Sequence, residues 1–140
     1  MLHLFSKEQS MHIDGLDHLV LTVRDLDATM AFYTQVLGMT SVTFGAGRRA
    51  LTFGQQKINL HLAGREFEPK AHCPVPGSAD VCLLTSVPMA QIQDHLSACN
   101  VAIEEGPVQR TGATGPIWSV YVRDPDQNLI EIANPMPAAG

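Results

Sequence analysis

Two residues in this chain sit where a polar side chain is costly. His18 lies in the largely apolar run Leu16–Val23, and Glu131 lies in Leu129–Ala133. A buried imidazole or carboxylate in such a strand needs a partner. Two of them, one near each end of the sequence, suggest one shared site, and a divalent metal is the simplest partner. A metal there would act as a Lewis acid on substrate oxygens, and a carboxylate beside it would be a proton carrier.

The elements that must position these residues read as follows. Leu16–Val23 is a strand with His18, Val20 and Thr22 on one face and Leu19, Leu21 and Val23 on the other. Asp25 is a helix cap, Leu26, Met30, Tyr33 and Leu37 form a helical stripe, and Gly38 ends it. Met39–Phe44, Arg49–Phe53 and Lys57–Leu62 follow as strands separated by glycine-bearing turns. Residues 64–77 hold Gly64, Pro69, Pro74, Pro76 and Gly77 among charges and read as a linker. The order then repeats. Ala79–Thr85 is a strand, and Pro88 opens a helix with the stripe Met89, Ile92, Leu96 and Cys99. Ile103–Val108, Ile117–Arg123 and Leu129–Ala133 are three more strands. The small-residue stretch Thr111–Pro116 between two of them is expected to be a mobile lip.

The fold class is therefore α+β, with two βαβββ modules over 13–63 and 78–134 joined by the linker. Residues 1–12 read as a flexible extension and 135–140 as a tail. Each helix covers one face of its sheet, and the opposite faces are expected to curl into a cup. His18, Asn59, His61 and Glu131 belong on the cup face by the period of two, with Ile58, Leu60, Leu62, Ile130 and Ile132 toward the helices.

Three stretches carry a resemblance to a known family. They are Gly15–Leu26, then Ala31-Phe32-Tyr33 with Val36-Leu37-Gly38, and finally Arg123–Ile132 with its Asp124-Pro125-Asp126-Gln127-Asn128 turn. Together they resemble the vicinal oxygen chelate superfamily over about residues 13–134. That superfamily includes glyoxalase I, extradiol ring-cleavage dioxygenases, fosfomycin-resistance thiol transferases and bleomycin-resistance proteins. Lys57–His61 and Gly64–Lys70 are similar to small glyoxalase-domain proteins, some of them labelled virulence proteins. The resemblance implies one divalent ion per site (Ni, Co, Zn, Mn or Fe), with His18, His61 and Glu131 as ligands. It places Asp80 where the family often has His, either as a weak fourth ligand or as a residue that binds nothing and leaves a water there. It implies a lyase or isomerase of glyoxalase I-like type that stabilises an enediolate, with Glu131 as the catalytic residue. An extradiol-type Fe(II) dioxygenase and a non-catalytic, drug-resistance type binding protein are the alternatives. It also implies a homodimer, with the cup built within one chain or across two.

Other residues join the cup as substrate contacts. Asn59 faces it, and Trp118 and Tyr121 lie on opposite faces of one strand, so one of them lines it. Arg123 shares the face of Tyr121 and is placed to recognise a carboxylate. The turn 124–128 has a sufficient explanation as a turn. His3, His12, His72 and His95 read as solvated surface. Cys73, Cys82 and Cys99 form no CxxC pair, and Cys82 and Cys99 read as small apolar residues.

The formal net charge of −5 points away from nucleic acid and anionic membranes. No apolar run reaches membrane-spanning length, and residues 1–10 lack a signal-peptide core. The expectation is a cytoplasmic protein acting on a small molecule.

Overall fold

The computed structural model describes residues 10–137. Residues 1–9 and 138–140, which hold His3 and most of the expected extension and tail, lie outside the described residues.

The first module opens with β1 (His18–Val23). Asp25 then caps α1 (Leu26–Ala31), its carboxylate accepting the Ala28 N–H at 3.0 Å. The helix continues as a π-helical turn over Phe32–Val36. Gly38, at φ +71°, ends it with a backbone that other residues rarely adopt. Three strands follow: β2 (Thr40–Phe44), β3 (Arg48–Phe53) and β4 (Gln56–Leu62). They form a sheet of order β1-β4-β3-β2, in which β1 and β4 run parallel and the other pairs antiparallel.

The second module repeats this plan. β5 (Asp80–Leu84) leads to α2 (Met89–Ala98), entered through Pro88. β6 (Glu105–Thr111), β7 (Pro116–Arg123) and β8 (Leu129–Pro135) complete a sheet of order β5-β8-β7-β6, with β5 and β8 parallel. β6 differs from the sequence reading: it begins at Glu105 rather than Ile103 and carries an irregularity between Glu105 and Val108. Gly106 sits in it at φ +105°, where any side chain would collide with the Ser119 carbonyl. The expected lip is a tight hairpin turn that borders a cavity of the second sheet. Thr111 pairs with Pro116, and the Gly112 N–H donates to the Gly115 carbonyl at 2.8 Å.

One hydrophobic core serves both modules. It holds Leu21, Val23, Ile58 and Leu60 from the first sheet with Val120, Val122, Ile130 and Ile132 from the second. Tyr33, Ile92 and Leu96 from the helices join it. Helical segments of about three turns, residues 26–36 and Met89–Ala98, are too short to cover a four-stranded sheet each, and pooling the two helix-bearing sides gives one larger core. The expected single cup is therefore absent within one chain. On the faces opposite the helices the edge strands β1 and β5 stay open, with Val20 44% and Leu84 64% exposed, while Asn59, His61, Ser119 and Ala133 on the inner strands are buried.

The turn after β7 stitches the modules. Asp124, 3% exposed, accepts the N–H groups of Asp126 and Asn128, each at 2.9 Å. Its other oxygen accepts the Asn128 side-chain N–H at 2.8 Å and the Tyr33 hydroxyl at 2.7 Å. Burial and this carboxylate push the Tyr33 hydroxyl well above the ordinary tyrosine value. Asp126 accepts from Arg24 of the first module, and the Asn128 amide oxygen accepts the Ala79 N–H at 2.8 Å.

Candidate metal and substrate site

The strand registers decide which polar residues are neighbours. In the parallel pair β1–β4, His18 is level with Lys57, Val20 with Asn59 and Thr22 with His61. Asn59 is thus two residues along from His18, and His61 is four. At about 3.3 Å per residue the His61 backbone lies roughly 13 Å along the sheet from His18. That span is too great for two imidazoles bound to one ion at ~2.0–2.1 Å. The second sheet repeats the closer spacing. Asp80 is level with Leu129 and Cys82 with Glu131, so Glu131 stands two residues beyond Asp80. In the frame the modules share, Asn59 is the counterpart of Glu131, and the counterpart of His61 is Ala133. The triad of His18, His61 and Glu131 is corrected accordingly. Among the described residues, no three His, Cys, Asp or Glu side chains of one chain gather as metal ligands.

On the first sheet, the Nδ1 of His18 is 2.7 Å from an Asp17 carboxylate oxygen. This contact fixes the ring and leaves Nε2 as the nitrogen presented to a ligand. Asn59 and His61 occupy the opposite face of β4 from the core residues Ile58 and Leu60. Two buried side-chain atoms among the described residues have no hydrogen-bond partner, Asn59 Oδ1 and His61 Nε2, and both belong to this face. His61 is 3% exposed and meets the Phe67 ring edge-on at 5.6 Å between centroids. Burial first, and Arg48 second, lower its pKa below the usual histidine value, with Glu66 and Glu68 opposing. The ring lines a cavity of about 550 Å³ closed on one side by linker residues 69–75.

On the second sheet, the buried Ser119 hydroxyl donates to Glu131 Oε2 at 2.6 Å. Tyr121 is level with Glu131, and its hydroxyl accepts from Arg110 Nε at 3.0 Å. Burial raises the Tyr121 pKa, with Arg110 pulling against it. Glu131, Tyr121, Arg110 and Cys82 line a separate cavity of about 500 Å³ beside the β6–β7 turn. Partial desolvation by neighbouring atoms, and then Glu131, push the Cys82 thiol up to about 11, so it is protonated near neutral pH although the residue is surface-accessible. Cys82 is also exposed rather than buried as expected.

Two expected substrate contacts lie elsewhere. Trp118 shares its strand face with the core residues Val120 and Val122, on the far side of the sheet from Glu131. Arg123 is committed to Glu104, Nε to Oε1 and Nη2 to Oε2 at 3.0 Å each, and its Nη1 donates to the Gln127 carbonyl. Sequence reasoning missed Ser119 and Arg110. Ser119 carried one signal, a small polar residue two positions from Tyr121 in an apolar strand.

The family model described as the Glyoxalase/Bleomycin resistance protein/Dioxygenase superfamily matches residues 15–132. The chain belongs to this superfamily. It is 57% identical over 123 residues to the virulence protein STM3117 of Salmonella typhimurium, covering 88% of this chain and 85% of that one. The crystal structure under that name superposes with a TM-score of 0.89 at 56% identity, covering 90% of this chain and all of the other. The glyoxalase domain-containing protein RDO1 of Mycosarcoma maydis is 54% identical over 128 residues, 91% of this chain and 72% of that one. Two more distant structures share the fold at a TM-score of 0.68. They are a lactoylglutathione lyase from Agrobacterium tumefaciens, at 22% identity over 88% of this chain and 95% of that one, and the antibiotic-binding protein TnmS3 from Streptomyces sp. CB03234, at 21% over 91% and 100%.

In this superfamily member the repeated spacing marks four side chains: His18, Asn59, Asp80 and Glu131. The set offers an imidazole held by a carboxylate, an amide oxygen with no other partner, and two carboxylates. Oxygen-rich sets with one imidazole suit divalent ions of hard to borderline character, so the donor types fit a metal.

Proposed function

We propose that this protein is a divalent-metal-dependent enzyme of glyoxalase I-like type whose site is assembled from two chains. His18 and Asn59 come from one chain, and Asp80 and Glu131 from the other. The observation that carries this reading is the two-residue offset found in both sheets, beside the edge strands β1 and β5 that one chain leaves open. Each open face holds half of a ligand set, and a second copy supplies the missing half while covering Val20 and Leu84.

A bound divalent ion would polarise two adjacent oxygens of a small substrate. The chain's own residues do the rest. Asp17 holds His18 in one orientation. Glu131 takes a proton from the carbon beside the substrate carbonyl and returns it one atom away. Ser119 fixes one oxygen of that carboxylate, so the proton is carried by the other. Tyr121 and Arg110 border the reacting end of the cavity.

One observation favours a second reading. Asn59 is uncharged where Glu131 is anionic, and the fold is shared with TnmS3, an antibiotic-binding protein. A binding protein of the same architecture needs no metal.

Elemental analysis of untagged protein separates the two. About one equivalent of Mn, Fe, Co, Ni or Zn per chain is expected, lost in His18→Ala and in Glu131→Gln. Iron together with catechol-dependent oxygen uptake would redirect the chemistry to a dioxygenase. Metal-free protein that takes up none of these ions would leave the binding-protein reading.

A further inference from the structure

His61 is the polar residue that the metal site does not use. It is deeply buried, and its Nε2, like Asn59 Oδ1 on the same face, lacks a hydrogen-bond partner, whereas buried polar atoms are nearly always paired. Its ring lines the 550 Å³ cavity, whose walls include Val20 and Thr22 of β1, Pro69, Lys70 and Val75 of the linker, and Asn128. These walls are mostly apolar. The cavity begins one pleat repeat, about 7 Å, beyond Asn59 on the same face of β4.

The charged side chains around it are engaged with rings or with one another, Lys57 lying over Phe44 at 4.2 Å. Arg48 stacks on Phe67 at 4.6 Å and on Phe44 at 5.2 Å. Lys70 lies 2.6 Å from Glu68, and Glu66 accepts the Gly64 N–H. Lys70, the charged residue in the cavity wall, is already paired with Glu68, so it is not a free cation for a carboxylate. A neutral imidazole, by contrast, offers either a donor or an acceptor to an uncharged oxygen.

We infer that this cavity is a recognition pocket for the distal end of the substrate, an apolar group of about aromatic-ring size bearing a hydroxyl or carbonyl oxygen, with His61 as its hydrogen-bonding residue. The name substrate rests on the metal-enzyme reading above, but the pocket itself needs no metal. Its volume suits a small organic molecule. The reacting oxygens would lie at the His18 and Asn59 end and the distal oxygen at His61.

The test uses EDTA-treated full-length protein, so it is independent of the metal result. Phenol, toluene and benzoate are titrated while the histidine ring nitrogens are followed by long-range ¹H–¹⁵N NMR. Phenol should shift the His61 nitrogens and bind about ten-fold tighter than toluene or benzoate, the worth of one hydrogen bond. In His61→Phe, phenol and toluene should bind alike. If that variant melts early, Ala71→Trp, which fills the cavity from the linker side, must block phenol. The inference is overturned if phenol leaves the His61 ring unmoved, as a trapped water on Nε2 would ensure. Benzoate binding best, or phenol binding unchanged in both variants, would also overturn it. Phenol binding as expected here, in a protein that takes up no divalent ion in the elemental analysis, would sink the enzyme reading alone.

Discussion

On the open face of the first sheet, the two positions of the shared offset hold an imidazole and an amide. On the second sheet the same positions hold two carboxylates. The first face is roofed by the linker and contains a second histidine, where the other sheet has Ala133. The second face is walled by a hairpin and contains Ser119, Tyr121 and Arg110. Two copies of one backbone plan have thus been given different tasks. One offers neutral donors and a pocket, and the other offers negative charge and a group able to move a proton. Neither face is a complete site, which is why the comparison predicts a partner rather than a second, independent centre.

The sharpest way to break it is complementation. His18→Ala and Glu131→Gln should each abolish metal binding and lower activity by about two orders of magnitude or more. Mixing the two variants after brief unfolding and refolding should restore about a quarter of the sites, because one site in each mixed dimer has both native halves. No recovery would mean that each chain builds its site alone. The next effect is on stability. Asp124→Ala strips a partner from the Tyr33 hydroxyl and the Asn128 amide at once, and should cost about 3 kcal/mol in urea unfolding. A cost under about 1 kcal/mol would show that the turn does not join the modules energetically.

Smaller again is Gly77→Ala. A Cβ there would approach the Asp126 carbonyl oxygen at 2.6 Å from a backbone at φ +85°. The expected loss is about 1–2 kcal/mol, read as a lowered Tm. Least affected should be Arg123→Gln. The Arg123 guanidinium holds the Glu104 pKa below the ordinary value, so the pair contributes above the unfolded carboxylate's pKa and fades as pH falls through the folded one. Both groups are solvated, and at pH 7 the Tm should move by less than about 2 °C. A large fall, or a loss of activity, would return Arg123 to the substrate site.

Much of this frame was legible in the sequence, because alternation and helical stripes are local signals. Leu16–Val23, the cap at Asp25, the stop at Gly38 and the closing turn 124–128 all carry their structure in adjacent residues. What the sequence left open was set by pairing across distance. Asn59 and His61 lie on the same strand face, so alternation cannot rank them, and only their register against β1 separates them. Trp118 and Tyr121 posed the converse problem, since alternation separates them but does not say which face meets the core. Arg123 looked free because Glu104 is 19 residues away. The shared core misled for the same reason: each module's pattern is amphipathic alone, and nothing local says that the helix-bearing sides meet each other.

The linker that joins the modules also roofs the His61 cavity. Its length is cheap to change, since doubling a flexible loop costs only about 0.6 kcal/mol in closure entropy. Insertions or deletions within 64–77 would therefore resize the chamber while leaving the sheets, the four-residue set and the 124–128 turn untouched. Divergence among relatives with this fold would then follow the length of one surface segment more closely than changes in the strands, and ligand preference would evolve without any cost to the scaffold.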